Sequence, residues 1–188
     1  MDPVQERVLS YNDLLTIPKE YYPLATLCFN PGAFFSFAVA GKTHGNYGHF
    51  MWLIGPNEFA TQSWWFKSVP IEKYKNYEMK FVYNPGWSEA QKIILIKSLR
   101  EDLAKSKWET RYDVWALFWY LVELKPLNNK KLEVCSDSAD HFKHVDPRYD
   151  LKNPDPEDVN KWMKLTKWTP ENRFGHLVYG RYHGRDCD

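Results

Sequence analysis

Gly48-His49-Phe50-Met51-Trp52-Leu53-Ile54-Gly55-Pro56-Asn57-Glu58-Phe59-Ala60-Thr61-Gln62-Ser63 is the stretch that decides the fold. Its first half is a short apolar run with glycine at both ends. His49 to Gly55 reads as the second strand, and its first residue is a histidine just after a glycine-rich loop. Pro56-Asn57 is a turn signal. The chain then resumes at Glu58 as a third strand, expected to run to Ser68 and to return antiparallel to the second. Side chains alternate along a strand, so Phe59 and Thr61 share one face and Glu58 takes the other.

The neighbours extend the same pattern. Upstream, Asn30-Pro31-Gly32 is a turn signal, and Ala33 to Ala40 reads as a phenylalanine-rich strand. The segment from Gly41 to Gly48 holds Gly41, Gly45 and Gly48, so it is a loop. It lacks the GxxxxGK[ST] pattern and precedes a strand, which argues against a phosphate cradle. Downstream, Val69 to Tyr74 predicts a short helical connection, and Tyr77 to Tyr83 a fourth strand ended by Asn84-Pro85-Gly86. Ser88 is an N-cap with Gln91 at the capping-box position. The helix it opens runs from Glu89 to about Lys105. Ile93, Leu95, Ile96, Leu99 and Leu103 form its apolar stripe, and Lys92, Lys97, Arg100 and Lys105 its solvated face. Asp113 to Leu124 is a second helix, apolar nearly all round and so expected to be buried. Residues 1 to 27 read as a short helix and a loop broken by Pro18 and Pro23. Near the end, Glu157 to Lys167 is a helix with Pro156 at its start. Leu177 to Tyr182 is a final short strand.

The expected fold is α+β: an antiparallel sheet of hairpin-linked strands packed against helices. One domain spans residues 1–188, with a lead-in at 1–29, a core at 30–145 and an extension at 146–188. Twenty-five lysines and arginines against twenty-four acids leave a formal charge of +1. A dedicated nucleic-acid binder would be strongly basic, so that class is set aside. The motif Trp64-Trp65-Phe66-Lys67 keeps a single-strand binder in view only as a third reading. No window carries the roughly 18 apolar residues of a membrane span. The N-terminus has no apolar secretory core, which with the cysteine usage points to a reducing, cytoplasmic setting. Cys28, Cys135 and Cys187 are odd in number and widely spaced, so neither a disulfide framework nor a zinc ribbon is indicated. His141 and His144 share a helical face, but no acidic or cysteine cluster completes a metal site beside them. They read as a solvated face, and no cofactor is expected.

The candidate chemistry lies in Leu132-Glu133-Val134-Cys135-Ser136-Asp137-Ser138-Ala139-Asp140-His141-Phe142. A short extended run delivers Cys135 to a helix start, where the helix dipole tilts a thiol toward thiolate. The plain alternative is a buried cysteine that only packs. A cysteine nucleophile needs a base close in space, and His49, after its glycine-rich loop, is the first choice. His44 is the rival base.

The order of these pieces resembles the circularly permuted papain-like hydrolases, which include NlpC-type cell-wall peptidases and the lecithin:retinol acyltransferase group. In that family a strand reading like H-V-G-I-Y-L-G carries the base, a second strand and a V-P-L connection follow, and the cysteine comes last at a helix start. Here His49 to Gly55, Phe59 to Ser63, Val69-Pro70-Ile71 and Cys135-Ser136-Asp137 fill those places. Asn30-Pro31-Gly32-Ala33 looks like the opening P-G-D, with alanine for aspartate, and Tyr112-Asp113 like the Tyr-Asp before the cysteine. The resemblance spans about residues 30 to 145.

It implies that Cys135 is the nucleophile, that His49 is the base and then the acid, and that the Cys135 N–H is half of an oxyanion hole. Tyr112 stands for the other half, or merely caps a helix. The third, orienting residue departs from the pattern. Phe59 falls where permuted members carry glutamate, and counting forward from His49 reaches Thr61, which makes Thr61 the third member. The implied activity is hydrolysis of a peptide, isopeptide or peptidoglycan-stem amide, or a related acyl bond, through an acyl-enzyme. The substrate is then a peptide or protein, peptidoglycan or an acyl lipid, handled by an intracellular deconjugating protease or a phage-type enzyme. The alternative is the same fold with a degraded triad, acting as a binding module.

Overall fold

The structure is a computed structural model that describes residues 7–30, 45–110, 135–152, 154–165 and 176–184, with the side chains of 135–137 and 165 left aside. The expected strand at Ala33–Ala40, the helix at Asp113–Leu124, His44, Tyr112 and Cys187 lie outside the described residues.

Among the described residues, six strands form one antiparallel sheet in the order β4-β3-β2-β1-β5-β6. They are β1 (Leu24–Phe29), β2 (His49–Gly55), β3 (Glu58–Gln62), β4 (Phe66–Val69), β5 (Glu78–Tyr83) and β6 (Leu177–Tyr182). The α+β class is thus as expected, and the β2–β3 hairpin closes at Pro56-Asn57. Asn57 takes the left-handed conformation there, with φ of 54°. Asparagine tolerates that region because its short polar side chain bonds locally. Its Oδ1 accepts from the Ile71 N–H at 2.9 Å, which ties the turn to the 3-10 helix Ile71–Tyr74.

Three expectations need correcting. The lead-in contributes β1, which pairs with both β2 and β5 near the middle of the sheet. Leu24 to Cys28 are buried without alternation, because both faces of the strand are covered, and so the period-two signal is missing. The final strand, by contrast, falls where the sequence placed it: β6 is Leu177–Tyr182 and forms the edge on β5. The long third strand breaks at 63–65 into β3 and β4, which pair with each other. Ile93, assigned to the apolar stripe, is exposed, whereas Leu95 and Leu99 are buried.

The helix Glu89–Ala104 starts where the capping box placed it. The Ser88 hydroxyl accepts from the Gln91 N–H, and the Gln91 side chain accepts from the Ser88 N–H at 2.9 Å. This helix, the 3-10 helix Cys135–His144 and the helix Pro156–Leu165 cover one face of the sheet. That core gathers Leu27, Phe50, Trp52 and Ala60 with Leu95, Leu99, Phe142, Val159 and Trp162. Phe142 is its hub, its ring within 6.2 Å of those of Phe50, Trp52, Trp87, Tyr149, Trp162 and His176. Trp52 Nε1 donates to the Ser138 carbonyl at 2.8 Å, pinning β2 to the cysteine-bearing helix. The opposite face packs Leu24, Cys28, Met51, Leu53, Phe59, Met79 and Phe81 against Leu14, Ile71 and Tyr74. Among the described residues no helix is long and apolar enough to cross a membrane.

Candidate active site

His49 opens β2, and Thr61 lies near the end of β3. The ladder pairs Met51 with Thr61, so His49 sits diagonally across from the threonine on the same face. Alternation therefore brings the imidazole to the hydroxyl, and His49 Nε2 lies 2.7 Å from Thr61 Oγ1. Tyr74, from the Ile71–Tyr74 helix, donates its own hydroxyl to the same Thr61 oxygen at 3.4 Å. Thr61 is wholly buried. The residue His49 keeps partial exposure, yet its ring is crowded enough that desolvation pulls its pKa from 6.5 to about 4. It is a neutral imidazole at pH 7.

Phe59, two residues before Thr61, is buried against Tyr74 and Phe81 at 5.4 and 6.4 Å between ring centres. The position where the family pattern carries glutamate is thus a packing position in this chain. Glu58 is on the other side of the strand and is engaged by Arg100 and Ser68. Of the candidate orienting residues, Thr61 is the one that meets the histidine.

Cys135 is the first residue of the 3-10 helix Cys135–His144. Ala139 and Phe142 of that helix pack on the face that holds Phe50 and Trp52. His49 belongs by alternation to the other face, with Met51 and Thr61. The Cys135 side chain lies outside the described residues, and its separation from His49 with it.

Two residues acquire a place that sequence reasoning did not give them. Cys28 is directly opposite His49 in the ladder, on the same face, and is fully buried. Nothing local in the sequence marks it; only the pairing of β1 with β2 does. His141, expected on a solvated face, is buried instead. Its Nδ1 is 2.9 Å from Ser98 Oγ, and its Nε2 is 2.9 Å from Asp102 Oδ2. The sequence hides this because Ser98 and Asp102 come from a different helix. Burial alone would raise the Asp102 pKa, but the His141 and Lys105 contacts outweigh it and hold it at about 2.

Ser98, His141 and Asp102 have the composition of a serine triad but not its layout. Ser98 Oγ already donates to the Leu95 carbonyl at 2.9 Å. The serine also sits mid-helix, where backbone N–H groups are committed to the helix and none remains for an oxyanion. The cluster instead joins the Glu89–Ala104 helix to the helix that Cys135 begins.

His176 is buried among Trp87, Phe142 and Trp162, with Nε2 3.4 Å from Asp146 Oδ2. Burial lowers its pKa more than the Asp146 carboxylate raises it. Asp146 accepts from Arg148 Nε at 2.9 Å and Nη2 at 2.7 Å, and these bonds overcome burial and hold it well below the usual carboxylate range. Among the described residues, no group of three or more histidine, cysteine, aspartate and glutamate side chains gathers as a metal site.

No protein-family model matches the chain, and no curated protein does. Among solved structures the chain is similar to metalloprotein yiiX from Escherichia coli O157:H7. The two share 16% identity with a TM-score of 0.47, over 82% of this chain and 87% of the other.

Proposed function

We propose that the protein is a cysteine hydrolase of the permuted papain-like kind, with Cys135 as nucleophile and His49 as base and then acid. The observation that supports this most is the 2.7 Å contact between His49 Nε2 and Thr61 Oγ1. A base must be held in one orientation and one tautomer to work. In the tautomer the role requires, Nε2–H donates to Thr61 Oγ1, and Nδ1 carries the lone pair for proton transfer. The depressed pKa keeps that nitrogen unprotonated at neutral pH.

The reaction has two steps. Cys135 Sγ gives its proton to His49 Nδ1 and attacks the acyl carbon, forming a C–S bond. His49 then returns the proton to the departing amine or alcohol. Water next gives a proton to His49 and attacks the thioester, releasing the acid and the thiol. Because Thr61 is neutral, it orients the imidazole without stabilising imidazolium. General-base removal of the thiol proton during attack therefore suits this pair better than a resting ion pair.

The test is acylation by p-nitrophenyl acetate and by a panel of peptide amides, with the adduct located by mass spectrometry. The expected result is a mass increment on Cys135, absent in Cys135→Ala and slowed on the order of a hundredfold in His49→Ala. An adduct rate indifferent to His49, or no adduct on Cys135, overturns the assignment.

Two observations favour a second reading, a binding module built on the same fold: the buried Phe59 at the family's carboxylate position, and the packing of the Cys135 helix on the face away from His49. Under that reading Cys135 forms no acyl adduct, and its reaction with iodoacetamide is the same in His49→Ala as in the parent.

A further inference from the structure

Two surface segments far apart in sequence meet beside the β3–β4 end of the sheet. The bend at 63–65 is closed by the Ser63 N–H donating to the Trp65 carbonyl at 3.2 Å. The turn at 106–109 is capped by Ser106, whose N–H donates to Glu109 Oε2 at 2.9 Å. Thr110 joins the two: its carbonyl accepts from Gln62 Nε2 at 2.7 Å and from the Phe66 N–H at 3.2 Å.

This lock brings tryptophan and lysine together. The Trp65 ring has Lys67 Nζ at 4.7 Å and Lys107 Nζ at 4.6 Å from its centre. Trp64 precedes Trp65 in the chain and Trp108 follows Lys107, and the two are 62% and 76% exposed. Burial lowers the Lys67 pKa, and the like charges of Lys73 and Lys107 lower it further. Two acids lie in these segments: Glu72 precedes Lys73 in the chain, and the Glu109 carboxylate is held by the Ser106 cap. An exposed pair of tryptophans rimmed by like charges is costly to leave in water and calls for an anionic, partly apolar partner.

We propose that this surface docks on a negatively charged phospholipid membrane. Trp64 and Trp108 enter the boundary between headgroups and acyl chains, and Lys67, Lys73 and Lys107 face the lipid phosphates. Indole suits that boundary because its ring is apolar while its N–H finds a polar partner. Lysines beside it add attraction to anionic headgroups that salt screens. A single nucleic-acid strand fits less well. Such a strand needs free aromatic faces on which successive bases stack. The Trp65 ring already carries two ammonium groups, and a net charge of +1 offers no extended basic track. The inference does not depend on the Cys135–His49 chemistry, because its test reads binding alone.

The experiment is co-sedimentation of the full chain with vesicles of phosphatidylcholine alone and of an equal mixture with phosphatidylserine, at low and high salt. The chain is expected to bind the mixed vesicles and not the neutral ones, and to be released by salt. The double variant Trp64→Ser, Trp108→Ser, and separately Lys107→Glu, should each weaken partition about tenfold. Unchanged circular dichroism and melting temperature establish that both variants fold. Equal binding to both vesicle types, no binding to either, or full binding by the folded variants overturns the proposal. So does capture by oligothymidylate in preference to the mixed vesicles.

Discussion

The two faces of the sheet hold their polar groups by different means. Under the helices, buried polar groups gather around formal charges: Asp146 held by Arg148 and beside His176, Asp102 against His141, and Lys80 Nζ donating to Asn160 Oδ1 at 2.7 Å. On the opposite face the corresponding set is neutral, an imidazole and two hydroxyls: His49, Thr61 and Tyr74. Charge pairing fixes a helix in place but commits the groups to each other. A neutral histidine held by a hydroxyl is oriented and still able to accept a proton. The difference separates histidines that serve architecture from the one suited to chemistry.

The largest expected effect is at Asp146. Asp146→Asn leaves the Arg148 guanidinium without its anion in a buried site. The expected loss is about 3 kcal/mol of stability, moderated by the partial exposure of Arg148, read by urea denaturation. A variant as stable as the parent would mean that charge does not organise the helix-covered face.

The next largest effect is in pH. The folded pKa of His49, about 4, lies below its ordinary value of 6.5. The unfolded chain therefore takes up the proton first. The stability tied to the neutral ring is complete above pH 6.5 and is lost as pH falls from there toward 4. That loss is about 2 kcal/mol after discounting for the remaining solvent access of the residue. His49→Gln should remove this share of the acid slope in melts across that window. His176 is shifted in the same direction, so a residual slope stays. An unaltered slope in His49→Gln would show that the ring is not desolvated.

The smallest effect sharpens the neutral side. Thr61→Val keeps the shape and removes the hydroxyl shared by His49 and Tyr74. It should cost about 1 kcal/mol of stability, while acylation of Cys135 slows and Thr61→Ser restores it. Equal acylation rates in the valine and serine variants would reduce Thr61 to a packing residue.

Much of the middle of the chain is legible in its sequence. The β2–β3 hairpin, the connection at Ile71–Tyr74, β5, the capped start at Ser88 and the late helix beginning at Pro156 all carry local signals of turn, cap or period. Thr61 as a partner of His49 came from the family resemblance, which counts forward from His49, while strand alternation set Glu58 on the other face. β1 is not legible, since a strand covered on both sides has no alternation to detect. Nor is the break at 63–65, where the chain bends to meet Thr110 across the surface.

What the sequence determined by itself is what nearest neighbours along the chain control: hairpins, caps, the alternation of faces and the type of groups available for chemistry. Only the tertiary structure decided which of those groups meet. Cys28 stands opposite His49 because β1 pairs with β2. His141 is buried because a separate helix supplies Ser98 and Asp102. Trp64 and Trp108 share a surface because Thr110 bonds to β3 and β4. Each of these depends on contacts between residues distant in the chain, which packing and hydrogen bonding select only when the whole sheet closes.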